Sequence, residues 1–141
     1  MGGRGNAGGG TKMGGGLSSV KRIMDYPAMT GTDRQIAYAK DILQKPVDNM
    51  YRQMEAAVQK NRDMGFKGKD AEISGYAYAN AIKEYNNYIA NWASRVRSKG
   101  REFTADLVIR NRDQFQILVM NRIIQKEREE YRRQGNAYKL K

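Results

Sequence analysis

The chain contains no cysteine and no histidine. The first absence removes disulfides, thiolate zinc sites and cysteine nucleophiles; the second removes every triad with a histidine base. Missing cysteine also fits a reducing compartment. No apolar run approaches the ~20 residues of a membrane span, so no membrane partner is expected. The N-terminus lacks the apolar h-region of a secretory signal, and none is expected there. With these chemistries gone, the expectation is a binding protein, with no enzymatic activity, no cofactor and no metal.

Glycine is plentiful but uneven. Nine of the fifteen glycines fall in the first sixteen residues, MGGRGNAGGGTKMGGG. Residues 3 to 8 spell G-x-G-x-x-G, the pattern of a dinucleotide loop. That loop works by joining a strand to a helix whose N-terminus holds the pyrophosphate. Only Met1 and Gly2 precede Gly3, and more glycine follows. The match is therefore read as a product of composition. A myristoylation motif needs Ser or Thr at position 6 and meets Asn6. Glycine loses the most conformational entropy on ordering, and this head has no apolar content to offset it. Residues 1–31 are expected to be a disordered Gly-rich tail and linker, with Arg4 and Lys12 as its charges within the first sixteen residues.

The remainder reads as helix. Thr32-Asp33-Arg34-Gln35 has the spelling of a capping box. After it, Ile36, Ala39, Leu43, Val47, Met50, Met54, Ala57 and Val58 recur at steps of three and four, one apolar helix face. Pro46 interrupts this run, which predicts a kink or two abutting helices near Lys45. A connection at Gly65–Gly68 precedes a second helix, with Asp70 as its expected cap, running to about Ser98. Tyr78, Tyr85 and Trp92 recur every seven residues, as do Ile82, Ile89 and Val96, an a/d seam. Tyr76 and Tyr88 lie off that seam and are candidates for surface contact. Gly100 closes this helix. Thr104 is a possible cap for a third segment carrying Leu107, Val108, Phe115, Leu118, Val119 and Ile123. Residues 106–119 also alternate, so a short β-hairpin there is the rival. The expected fold is all-α: a three-segment antiparallel helical bundle over residues 32–134, followed by a frayed basic tail at 135–141.

The charge is one-sided: 26 Lys and Arg against 15 Asp and Glu, a formal net charge of +11. An excess of this kind favours an acidic partner. From Asp33 to Asp63 the signs nearly balance, six basic against five acidic. The excess lies elsewhere. Arg95, Arg97, Lys99 and Arg101 form one cluster without an acid. Arg122, Lys126, Arg128, Arg132 and Arg133 form another among three glutamates. Solubility explains a single basic cluster. Two clusters and a cationic head point to a polyanion, with Lys and Arg neutralising phosphates and reading little sequence. A nucleic acid or ribonucleoprotein is the expected partner, with an acidic protein surface as the alternative.

Two further patterns are weighed. Asn80, Asn87 and Asn91 follow a helical stripe away from the apolar seam. Asparagine has only middling helix propensity, so the stripe is a candidate partner-binding surface, with neutral drift an equal explanation. Asp41, Asp48 and Glu55 stack at intervals of seven, superficially like a metal column. Lys45 and Arg52 interleave at i+4 spacing, which makes surface ion pairs the simpler explanation.

The head Met1-Gly2-Gly3-Arg4-Gly5 and the run Thr32-Asp33-Arg34-Gln35-Ile36-Ala37-Tyr38-Ala39-Lys40-Asp41-Ile42 resemble segments of small accessory proteins of bacteriophages and other mobile elements. The resemblance covers about sixteen residues and carries no functional residue. It implies a phage-type protein in the cytoplasm of a bacterial host. Such proteins include anti-CRISPR inhibitors of a host nuclease, and others that sit beside head-assembly genes. Many anti-CRISPR proteins are acidic mimics of DNA; at +11 this chain departs from that pattern. An inhibitor built this way would grip guide RNA, target DNA or an acidic protein face. A structural or assembly module pairing through its bundle is the alternative role.

Overall fold

A computed structural model describes Leu17, residues 20–115 and residues 120–139; beyond residue 119, side chains are described at 121–130, 132 and 133. The expected disordered head at residues 1–16 lies outside the described residues. The fold is all-α. Helix α1 spans Asp33–Asp63, α2 Gly68–Glu72, α3 Tyr76–Ser98, α4 Ala105–Arg110 and α5 Met120–Lys139.

Two of the three expected caps form, at Thr32 and Thr104. Thr32 Oγ1 accepts from the Gln35 amide at 3.1 Å, and Gln35 Oε1 accepts from the Thr32 amide at 3.0 Å. Thr104 Oγ1 accepts from the Leu107 amide at 3.0 Å and starts α4. α1 runs through Pro46 as one helix, so two abutting helices do not occur. Proline offers no amide to the carbonyl four residues back. Beside that gap the buried Tyr85 hydroxyl donates to the Leu43 carbonyl at 3.0 Å, tying α3 to α1.

The second expected helix is divided. α2 starts without a side-chain cap, so Asp70 does not serve as one. A tight 3-10 turn at Ile73–Gly75 then leads into α3, with right-handed helical backbone at both of its boundaries. Close packing requires glycine at the end of this turn: a Cβ on Gly75 would sit 2.7 Å from Leu17 Cδ1 and 3.0 Å from Val58 Cγ2. The third segment is divided too. α4 is followed by short helical turns at 112–115 and then, from residue 120, by α5. The rival hairpin is absent among the described residues of 106–119; residues 116–119 lie outside them. α5 continues to Lys139, past the boundary expected at 134.

Pairs of contacts fix the directions. Ser74 Oγ donates to the Ala57 carbonyl and Tyr85 to Leu43, so α3 runs antiparallel to α1. Trp92 packs on Phe115 while Lys126 reaches Glu84, so α5 runs antiparallel to α3. The core between these helices includes Leu43, Val47, Met50, Ile82, Tyr85, Ile89, Val108 and Ile123. Tyr85 is fully buried, whereas Tyr78 and Trp92 are half-buried at its edge.

The segment before α1 is not a free linker over its described part. Leu17, Val20 and Met24 are buried in the same core. Gln44 of α1 holds the strand-like strap: it accepts from the Met24 amide and the Tyr26 hydroxyl and donates to the Arg22 carbonyl. Thr30 then exchanges backbone hydrogen bonds with Phe103 and Ala105. A chain that buries apolar side chains and pairs its amides in this way has what it needs to offset ordering entropy.

Candidate functional site

The nine cations singled out from sequence are all exposed. Their partners divide them. Arg97 donates to the Ala28 carbonyl and lies 6.0 Å from the Phe103 ring centroid, fastening the strap to α3. Lys126 pairs with Glu84 at 3.0 Å and Arg133 with Glu130 at 3.5 Å. The side chains of Arg95, Lys99, Arg101, Arg122, Arg128 and Arg132 have no hydrogen-bond or ion-pair partner among the described residues. Six of the nine are therefore free to meet a ligand.

The end of α3 presents the first group. The Gly100 amide bonds the Arg97 carbonyl at 2.9 Å, and the Arg101 amide bonds the Val96 carbonyl at 3.2 Å. This is the Schellman closure, and it requires the left-handed backbone that Gly100 adopts at φ 77°. Lys99 and Arg101 thus flank a fixed turn. Cations here also complement the negative end of the helix dipole, which accounts for one or two of them without any ligand.

α5 presents the second group on two flanks. Arg128 and Arg132 line a polar groove of about 600 Å³ against Gln53 of α1, together with Asn121, Gln125 and Glu129. Arg122 lies four residues before Lys126, on the flank that faces Glu84 of α3. The Glu84–Lys126 pair sets the register, so Arg132 lies level with about residue 78 of α3. Lys99 is then about 30 Å away along the bundle at about 1.5 Å per residue. The two basic clusters lie at opposite ends, bridged by Arg95 and Arg122.

No protein-family model, curated protein or solved structure matches the chain.

The flank between α3 and α5 has its own electrostatics. Partial burial, and then the hydrogen bond and charge of Glu84, push Glu127 up to about 7. The same hydrogen bond, with help from Lys126, holds Glu84 below the ordinary glutamate range. Lys126 is held above the usual lysine range by Glu84. This pairing of two carboxyls with one ammonium was not visible in sequence, because Glu84 and Lys126 are 42 residues apart.

Asn80, Asn87 and Asn91 are all exposed along α3, and Tyr88 beside them is 37% exposed. Tyr76 packs against the core instead. The ion pairs expected around Asp41, Asp48 and Glu55 are replaced: Asp48 accepts from Gln44, and Arg52 donates to Asn49. No cluster able to hold a metal ion occurs among the described residues, and no described helix is long and apolar enough to cross a membrane.

Proposed function

We propose that the protein binds single-stranded nucleic acid through Arg95, Lys99, Arg101, Arg122, Arg128 and Arg132. The observation that carries this reading is the set of six exposed cations without acidic partners among the described residues. Solubility needs charge, but it does not need charge left unpaired at both ends of a bundle. The placement favours a flexible strand. A duplex stays straight over this length and meets one flank of α5, whereas a single strand can cross from the α3 end to the α1 groove. Tyr88, beside the bridging cations, offers a ring for base stacking.

The resemblance to phage accessory proteins extends the proposal to a strand inside a nucleoprotein, such as the guide RNA of a host CRISPR nuclease. The cationic surface supports a grip on that strand and opposes mimicry of DNA. The test is an anisotropy titration against labelled single-stranded RNA, single-stranded DNA and duplex DNA at three salt concentrations. Steep salt dependence with tighter binding to single strands is expected. Absence of binding at low salt would sink the proposal.

A second reading has one observation in its favour. Asn80, Asn87 and Asn91 form an exposed, uncharged stripe on α3. An amide surface of that kind suits a protein partner in an assembly. Its binding would be nearly indifferent to salt, and Asn87→Arg would block it.

A further inference from the structure

Glu72 is the one charged residue buried within the described part of the chain, at 2% exposure. Its Oε1 has no hydrogen-bond partner among the described residues. A carboxylate oxygen in that position is costly, because its lost hydration is not replaced. It is also held there firmly. Asn61 Nδ2 donates to the Ala71 carbonyl at 3.1 Å and to Ser74 Oγ at 2.8 Å, and Gly75 packs tightly on Leu17 and Val58. The backbone on both sides of Glu72 is thus locked onto α1.

Glu72 lines a cleft of about 290 Å³ between α1 and the α2 turn. Leu17, Met54 and Val58 supply apolar wall, and Tyr51, Glu55, Gln59 and Arg62 complete the lining. Two carboxylates face one guanidinium in that lining, so the local balance is negative on a strongly basic molecule. The volume stands at the small end for a ligand site. The cleft is separate from the cationic surface proposed above, and neither reading depends on the other.

We propose that this cleft binds a cationic head on a short apolar stem, an alkylammonium or alkylguanidinium, with Glu72 as its counter-ion. The head would pair with the Glu72 carboxylate, which must turn its buried Oε1 toward the cleft, while the stem lies along Met54 and Val58. A free small amine and a Lys or Arg side chain of a polypeptide share this chemistry. An anion is repelled by Glu55 and Glu72, and a neutral apolar molecule leaves Oε1 unpartnered.

The experiment uses the full chain and two-dimensional amide NMR. n-Butylammonium and n-butylguanidinium are titrated into the millimolar range, with n-butanol and butyrate as controls. A short blocked peptide with one arginine forms the second arm. Saturable shifts at residues 51–59 and 71–75 with the cations only are expected. Preference for the peptide over the free cations would assign the site to a polypeptide side chain; the reverse would assign it to a small amine. Glu72→Gln preserves shape and should weaken cation binding at least about tenfold. The same variant should melt higher than the native protein, since it removes a buried unpaired charge. No saturable shift, an equal response to butanol, or undiminished binding by Glu72→Gln would overturn the proposal. Glu72→Asp, which keeps the charge, should retain part of the binding; its loss alongside retention in Glu72→Gln would also overturn it.

Discussion

The division of the basic residues into engaged and free sets can be tested by changing Arg95, Lys99 and Arg101 together to Gln. If all six free cations meet phosphates of a single strand, the logarithmic salt slope is about −4, at about −0.7 per contact. A rise from about 50 to 200 mM salt then weakens binding about 300-fold. The triple variant keeps three contacts. Its slope should fall to about −2, and the same rise in salt should weaken binding only about 20-fold. The loss should be uniform across sequences, because phosphate contacts carry no base information.

Arg97 is the internal control. It belongs to the same cluster in sequence, but its guanidinium is already used on the Ala28 carbonyl. Arg97→Gln should leave the salt slope close to native and cost about 1 kcal/mol of stability by releasing the strap. The assay is fluorescence anisotropy at three salt concentrations, with thermal melts of each variant. The reasoning is refuted if Arg97→Gln flattens the slope as much as Arg95→Gln does. It is refuted equally if the triple variant keeps the native slope.

Trp92 is half-buried and packs edge-on to Phe103 at 4.9 Å and against Phe115 at 5.2 Å between ring centroids. Trp92→Ala should therefore cost about 3 kcal/mol, measured by urea denaturation, with a normal fold and lost ligand binding as the contrary outcome. Tyr85→Phe removes the buried donor to Leu43 and should cost about 1 kcal/mol in the same assay; an unchanged midpoint would show the bond to be energetically idle. Glu127 holds its proton to about 7 when folded but only to the ordinary glutamate range when unfolded. The folded state binds the extra proton between those values, so stability falls as pH rises through that window and levels off above it. Glu84, shifted downward, adds stability at higher pH that is lost as pH falls through its folded value. Melting temperatures from pH 5 to 8 should fall for the native protein relative to Glu127→Gln, and parallel curves would refute the assignment.

The parts of the fold that could be read from sequence are the local ones. Thr32 and Thr104 act within four residues of themselves, and their caps form as spelled. The apolar steps on α1 and α3 depend only on helical periodicity, and they do face the core. The parts that could not be read depend on distant partners. Gly75 is a local sign of an interruption at Ile73–Gly75, but the crowding by Leu17, Met54 and Val58 that requires glycine there is not visible in sequence. Nothing in residues 20–31 shows that Gln44 will gather the strap. The basic clusters were legible as composition. Which cations are free was not, because the carbonyl that takes Arg97 lies 69 residues away.

α5 shows how one helix can serve both packing and display. Ile123 and Ile124 are buried, while Arg122, Gln125, Lys126 and Arg128 around them are exposed. A helix so rich in cations repels itself. Glu84 answers part of that repulsion by taking Lys126, whereas Glu127, pushed up to about 7 by burial and by Glu84, carries little negative charge below that pH. The Glu84–Lys126 pair lies on the α3 flank. On the α1 flank, Arg128 and Arg132 share a groove with Glu129 but form no ion pair with it among the described residues. On the α3 flank Lys126 is paired while Arg122 is not, so the open cations lie mainly, though not solely, on the α1 side. Under the proposed function a strand would supply phosphates to the open flank, and the salt slopes of Arg128→Gln and Arg132→Gln would report that contact.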